Sequence, residues 1–180
     1  MSPVVPPEGF QTDRLVLRRP VAADAEAIFD GWARDPEVTK YLVWRPHASV
    51  ADARDHIARC RTSWEEGREF VWLIQHRDEA ELVGSLASRH TGHGVNLGYL
   101  LARRFWGRGF MVEALEPVVD WWLARPGVYR VWATTDVDNR ASARVLEKAG
   151  FELEGVLRRW DRHPNVDLEP RDALCYSRIR

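Results

Sequence analysis

Cysteine is scarce in this chain: Cys60 and Cys175 are the only two in 180 residues. Two thiols so far apart do not make a disulfide framework, so the chain reads as a protein of a reducing compartment, the cytoplasm. No histidine or base motif is tied to either, which argues against a thiol nucleophile. Long apolar runs are missing too, and Met1 to Gly9 is proline-rich with no apolar signal core. Nor is there an excess of one charge. The formal net charge is −1, so no global field favours nucleic acid or an anionic membrane. Any anion bound here must be held by a local site. His90 and His93 flank a glycine turn, but two histidines are too few for a metal site, and no metal is expected. His76-Arg77-Asp78 lacks the glycine loop, Asp-Phe-Gly and downstream asparagine of a kinase, and reads as a hairpin turn.

What is present is an ordinary globular composition, 45% hydrophobic and 29% charged. The length suits one domain, expected over residues 12–180 behind a flexible lead-in at 1–11. Nine tryptophans are more than a core of this size needs, and suggest a groove or a contact between two copies in a homodimer. Residues 14–19 alternate as a half-buried strand does. Residues 22–33 carry Ala25, Ile28, Phe29 and Trp32 at helical spacing, and Asp35-Pro36 ends that helix. A second short helix is expected over 37–42. Ser49 with Asp52 starts another helix, which Gly67 stops. Residues 69–75, 81–88 and 95–102 form an antiparallel meander. A helix (109–124), a strand (129–135), a helix (139–149) and strands at 151–160 and 173–179 follow. Trp121 and Trp122 cannot face the same way, so one belongs to the core and one to its boundary. Pro117 should kink its helix. This order gives an α/β fold in the α+β sense, a mixed sheet of six to seven strands, mostly antiparallel, flanked by helices.

The segment that carries chemistry is Leu100-Leu101-Ala102-Arg103-Arg104-Phe105-Trp106-Gly107-Arg108-Gly109-Phe110-Met111. A strand ends, two glycines flank one residue, and a helix begins. Glycines let backbone N–H groups approach a ligand. The first turn of a helix offers unpaired donors and partial positive charge, together a phosphate site. Arg103, Arg104 and Arg108 add charge. Gly109 is not followed by Lys-Ser/Thr, so this is no Walker loop, and Val112 stands where a dinucleotide fingerprint has its third glycine. Arg104 to Gly109 fits Arg-x-x-Gly-x-Gly. A glycine turn leading into a packed helix would look the same.

A second motif, Asp138-Asn139-Arg140-Ala141-Ser142-Ala143-Arg144-Val145-Leu146-Glu147-Lys148-Ala149-Gly150-Phe151, follows the next strand. The two stretches in this order closely resemble the GNAT N-acetyltransferases. Within that family the chain is most similar to the ribosomal-protein N-terminal (Rim-type) acetyltransferases, a likeness that covers about Thr12 to Ile179.

The resemblance implies the acyl-CoA N-acyltransferase fold and acetyl-CoA as co-substrate. The acceptor it implies is a primary amine, on a peptide N-terminus or a small molecule, attacking directly in a ternary complex. A CoA-binding sensor or assembly module without catalysis is the alternative. By the same likeness, Leu100 and Leu101 pair with the pantetheine arm, and a main-chain N–H there serves as oxyanion donor. Arg104 and Trp106, Gly107, Arg108, Gly109, Phe110 and Met111 surround the pyrophosphate. Asn139 contacts the cofactor arm or acetyl region, and Ser142 protonates or hydrogen-bonds the leaving thiolate. Many relatives carry a carboxylate base where this chain has Asn96, and asparagine accepts no proton at neutral pH. That leaves Asp136, Glu154 or a base acting through water. Trp44, Arg45 and His47 lie where relatives close over the acceptor.

Overall fold

The computed structural model describes residues 4–180. Eight strands form one sheet in the order β1-β2-β3-β4-β5-β6-β8-β7. They are β1 (Gly9–Gln11), β2 (Leu15–Arg18), β3 (Phe70–His76), β4 (Leu82–Thr91), β5 (Gly94–Leu101), β6 (Arg130–Asp136), β7 (Glu152–Asp161) and β8 (Arg171–Ile179). The sheet is mostly antiparallel as expected, with one strand more than the six to seven foreseen. The addition is β1, which pairs with β2 from Gly9↔Arg18 to Gln11↔Val16. Part of the lead-in expected at 1–11 is therefore tied down. The Trp72 indole donates to the Pro7 carbonyl at 3.1 Å, and Phe10 packs edge-on to that ring. Residues 1–3 of that expected lead-in, with Pro3, lie outside the described residues.

The helices are α1 (Ala25–Ile28), α2 (Pro36–Thr39), α3 (Val50–Glu65), α4 (Phe110–Leu123) and α5 (Arg140–Lys148). The helix expected over 22–33 changes pitch twice. It opens as a 3-10 turn at Ala22–Asp24, becomes α1, and widens to a π turn at Phe29–Ala33. The wider turn carries Trp32 and Ala33 into the core after Ala25 and Ile28. In α3 the buried residues Ala53, Ile57, Cys60 and Trp64 fall at steps of four, three and four, one stripe of a helix. The Asp52 carboxylate accepts from the Ala48 and Ser49 N–H groups at its start, one arm of the expected cap.

Along α4 the buried face is Phe110, Met111, Ala114, Leu115, Val118, Val119 and Trp122. Each large side chain there removes roughly 1.5–3 kcal/mol of apolar surface energy from water. Trp122 is fully buried and its indole donates to Ser88 Oγ at 3.2 Å, whereas Trp121 is half-buried, the division expected of the pair. Pro117 sits within α4, which runs on to Leu123 without that residue's N–H. Of the tryptophans, four are buried (Trp32, Trp64, Trp72, Trp122) and only Trp106 and Trp160 are exposed.

One irregularity positions everything that follows. β5 and β6 are the parallel pair, and they pair only over Gly94–Asn96 and Arg130–Trp132. Beyond that, β5 stays with β4 as far as Gly84↔Leu101, and β6 stays with β8 as far as Asp136↔Ala173. The sheet opens between them, and α4 and α5 start from the two lips.

On α3, His56 lies 3.5 Å from Cys60 Sγ one turn on. Burial, then the nearby His47 and Arg59, push the His56 imidazole from its ordinary 6.5 down to about 4. The unfolded chain takes that proton near pH 6.5 and the folded chain resists it, so His56 favours folding fully above this range and progressively less as pH falls toward 4. His56→Gln should therefore flatten the fall in melting temperature between about pH 6.5 and 4, the ordinary and folded-state values. Thermal scans of both proteins across that window measure it.

Candidate active site

The loop after β5 makes a 3-10 turn at Arg103–Phe105, then reaches α4 through Gly107 and Gly109. Both glycines have left-handed backbones, φ 74° and 78°, which any Cβ would strain. A side chain added at Gly107 would meet nothing within 4 Å, so this turn is open on its outer side. The first backbone bond into the helix runs from the Glu113 N–H to the Gly109 carbonyl at 3.1 Å. The N–H groups of Phe110, Met111 and Val112 precede the ladder and remain donors for an anion. The loop and α4 thus have the backbone form that a phosphate site requires.

The start of α4 is clamped by residues the sequence reading passed over. Glu113 accepts from Thr12 Oγ1 (2.6 Å), from the Arg14 N–H (2.9 Å) and from Arg14 Nε (2.7 Å). Burial raises the Glu113 carboxyl, but Thr12 and Arg14 more than offset this and hold it below its ordinary range. The Arg14 guanidinium also donates to the Arg108 carbonyl at 3.3 Å and lies 4.5 Å from the Phe110 ring centre. β2 and α4 are thereby fastened at the glycine turn.

The three loop arginines are not equivalent. Arg104 is ion-paired with Glu81 and lies over Phe105, so its charge is largely neutralised. Arg103 and Arg108 make no ion pair among the described residues, and Arg108 also lies over Phe105. Trp106, exposed, turns its indole N–H back to the Leu101 carbonyl at 2.9 Å. That carbonyl is already engaged, which reduces what Leu101 offers to a partner alongside β5.

Between the lips of the open sheet lies a cavity of about 350 Å³. Tyr99 and Leu100 of β5 line it, with Thr134 and Thr135 of β6, Asn139 just before α5 and Ser142 of α5. Asn139 caps α5: its Oδ1 accepts from the Ser142 N–H at 3.2 Å. Ser142 Oγ lies 2.8 Å from the Tyr99 hydroxyl, which bridges the split from β5 to α5. Burial raises the Tyr99 phenol despite that bond, so it stays protonated at neutral pH. The motifs expected to act together, Leu100 with Asn139 and Ser142, are brought together here. Tyr99 is the partner that sequence alone did not pick out.

Asn96 lines the same cavity. Neither carboxylate considered as a base in its place is free. Asp136 is buried, accepts from Arg171 Nε at 2.6 Å and takes the Asp138 N–H. Burial raises it, and Arg171 and the Asp138 N–H bring it below its ordinary range. Glu154 does not line the cavity. It accepts from Ser177 Oγ at 2.6 Å and pairs with Arg130, which hold it low. Trp44 and His47 do line the cavity. Arg45 lines only a second hollow, of about 400 Å³, that shares Trp44, His47 and His56 with it. His163, in the loop between β7 and β8, is a further lining residue and was not foreseen. No signal in the sequence marks it, because its neighbours come from distant segments.

Comparison with known proteins agrees with this geometry. Residues 14–152 match the acetyltransferase (GNAT) domain family. An uncharacterised N-acetyltransferase, YoaA of Bacillus subtilis (strain 168), is 37% identical over 176 residues, covering 95% of this chain and 96% of its own. The [ribosomal protein uS5]-alanine N-acetyltransferase of Escherichia coli (strain K12) is 28% identical, over 84% of this chain and 81% of its own. Among solved structures, the microcin C7 self-immunity acetyltransferase MccE, in complex with acetyl-CoA and AMP, superposes with TM-score 0.86 at 20% identity, over 98% of both chains. RimL, a ribosomal L7/L12 α-N-protein acetyltransferase in complex with coenzyme A, superposes with TM-score 0.81 at 23% identity, over 93% of this chain and 95% of that one. The open parallel pair, the glycine turn into α4 and the family match over most of the chain lead to one conclusion: this protein belongs to the GNAT family and is an acetyl-CoA-dependent acetyltransferase.

Proposed function

We propose that this chain moves the acetyl group of acetyl-CoA to a primary amine, on a peptide N-terminus or a small molecule, by direct attack while both substrates are bound. The observation that carries the reading is the opening between β5 and β6, with unpaired α4 donors at the end of β5 and the cavity beneath Tyr99 and Ser142. The family match favours catalysis over a sensor or assembly module that only binds CoA.

The residues divide by position along β5. The Trp106 N–H already donates to the Arg103 carbonyl, so main-chain donors from Gly107 to Met111 hold the pyrophosphate, with Arg108 adding charge and Arg104 steadying the loop through Glu81. Leu100 and Leu101 offer the backbone edge that β6 has left, which suits the amide groups of the pantetheine arm. A main-chain N–H there also polarises the thioester carbonyl. Asn139 keeps its amide N–H₂ for the cofactor arm while its oxygen caps α5. When Tyr99 donates to Ser142 Oγ, the Ser142 proton is left for the departing sulfur. Much of the rate then comes from holding amine and thioester in contact.

The acceptor cavity is at the small end of ligand pockets, which run from roughly 300 to 1,000 Å³. That suits a chain terminus or a compact amine. The relatives named above fit either choice, since one is named for an alanine of a ribosomal protein and another for immunity to a microcin.

Calorimetry with acetyl-CoA tests the pyrophosphate site. Gly107→Trp should weaken binding by about tenfold or more, ~1.4 kcal/mol. Gly107→Ala carries the same backbone strain without the bulk and should bind nearly as the parent does. Equal affinity in all three proteins removes the assignment. Steady-state kinetics test the acid role. Ser142→Ala should lower kcat on the order of 10²-fold with little change in acetyl-CoA affinity, and Tyr99→Phe should lower it less. An unchanged kcat in Ser142→Ala refutes it.

A further inference from the structure

Asn96 lines the cavity but accepts no proton at neutral pH, and acceptor amines are mostly protonated there. The cavity must therefore hold some other proton acceptor, or water must serve. Glu69 is paired with Arg89 at 2.7 Å. Asp161 accepts the Thr134 hydroxyl at 2.8 Å. His56 is pushed down to about 4 and His47 is also lowered by burial, which makes both weak bases.

His163 differs from all of these. It is 4% exposed, lines the cavity, and neither ring nitrogen has a hydrogen-bond partner among the described residues. An imidazole buried without partners is costly unless something else meets it. Its Nε2 lies 3.8 Å from Oδ2 of the fully buried Asp136. Behind Asp136, one guanidinium serves two carboxylates: Arg171 binds Asp136 at 2.6 Å and Asp138 at 2.6 Å. The cluster thus sets two carboxylates against one guanidinium, Asp138 at its outer, exposed side and Asp136 facing His163. Tyr41 packs edge-on to the imidazole from the far wall, with Lys40 over the Tyr41 ring. Asn165, two residues on, donates to the Thr39 and Trp44 carbonyls at 2.7 and 2.8 Å, and so fixes the loop that carries His163 against the acceptor wall.

We infer that His163 is the proton acceptor for the incoming amine, with Asp136 as the carboxylate that steadies its imidazolium. The inference rests on the acetyl-transfer reading above. In this scheme the ammonium of the acceptor gives one proton to His163. The freed nitrogen lone pair forms the N–C bond to the acetyl carbonyl carbon, and the C–S bond breaks with its pair on sulfur. Ser142 gives its proton to the departing sulfur, the second nitrogen proton passes through water to restore the Ser142 hydroxyl, and His163 releases its own proton to water. Amide, thiol and one released proton balance the reaction. At 3.8 Å the Asp136 carboxylate is too far to hydrogen-bond the ring, and it acts on an imidazolium through its charge.

The test compares the parent with His163→Gln and His163→Asn, using an α-amino peptide and an alkylamine as acceptors across pH. Melting temperature and acetyl-CoA affinity serve as controls for folding. At neutral pH both variants should lose about 10²-fold in kcat/KM for the amine, with acetyl-CoA affinity unchanged. The loss should shrink as pH approaches the acceptor's own pKa, near 7.7–8.0 for the peptide and only near 10.4 for the alkylamine, because solvent then supplies the neutral amine. A structural role would give the same loss for both acceptors at every pH, and that result overturns the inference. So does full activity in either variant beside an active parent, which leaves acetyl transfer standing. A parent that binds acetyl-CoA yet acetylates neither acceptor overturns both the transfer reading and this one.

Discussion

The working parts of this protein depend on a strand pairing that stops short. β5 and β6 share a ladder over only three residues each before they part. Unpaired backbone groups in a sheet interior are costly, so such a gap persists only if something else fixes both lips. β4 holds β5 along its whole length, and β8 holds β6 in the same way. Each lip is thus the last strand of its own antiparallel half-sheet. The gap is a boundary between two well-ordered halves, and its exposed β5 edge is rigid before any ligand arrives. Preorganisation of this kind lowers the ordering cost of binding an extended arm.

One contact spans the gap, and a second ties the start of α4 to the β2 side of the sheet. Tyr99 reaches from β5 to Ser142 on α5, and the buried Tyr99 phenol remains a neutral donor. At the other end, Thr12 and Arg14 grip Glu113 in the first turn of α4. A carboxylate there already interacts favourably with the helix N-terminus, but it also competes with an incoming anion. Arg14 cancels that charge, so the clamp fastens the helix without closing the anion site. Exposed pairs such as Arg34–Asp30 do neither and contribute little.

Local chemistry was legible in the sequence and distant pairing was not. The glycine turn at Gly107 and Gly109 was readable because positive φ and the start of a helix are properties of adjacent residues. The α3 and α4 stripes followed from periodicity for the same reason. The pairing of Asn139 and Ser142 with β5 came only through resemblance to a family. β1 escaped notice because three residues beside prolines carry no alternation, and their strand exists only because β2 offers an edge. The Arg104–Glu81 pair, the Tyr99–Ser142 bond and the Glu113 clamp join residues 23, 43 and about a hundred positions apart. Nothing in composition or spacing encodes those distances. The π turn at Phe29–Ala33 was hidden differently, since its apolar spacing still looks helical until the wider pitch brings Ala33 inward.

The electrostatics of the two ends of β5 are opposite in kind. Around the α4 turn, charge comes from the backbone and from arginines without ion pairs, which suits a ligand that stays anionic throughout. Two carboxylates line the cavity: Glu69 is paired with Arg89, and Asp161 accepts the Thr134 hydroxyl. The histidines beside them gain little from protonation where burial dominates, as at His47 and His56. Behind the cavity wall Asp136 and Asp138 share Arg171, and His163 is a lining group that stands against Asp136.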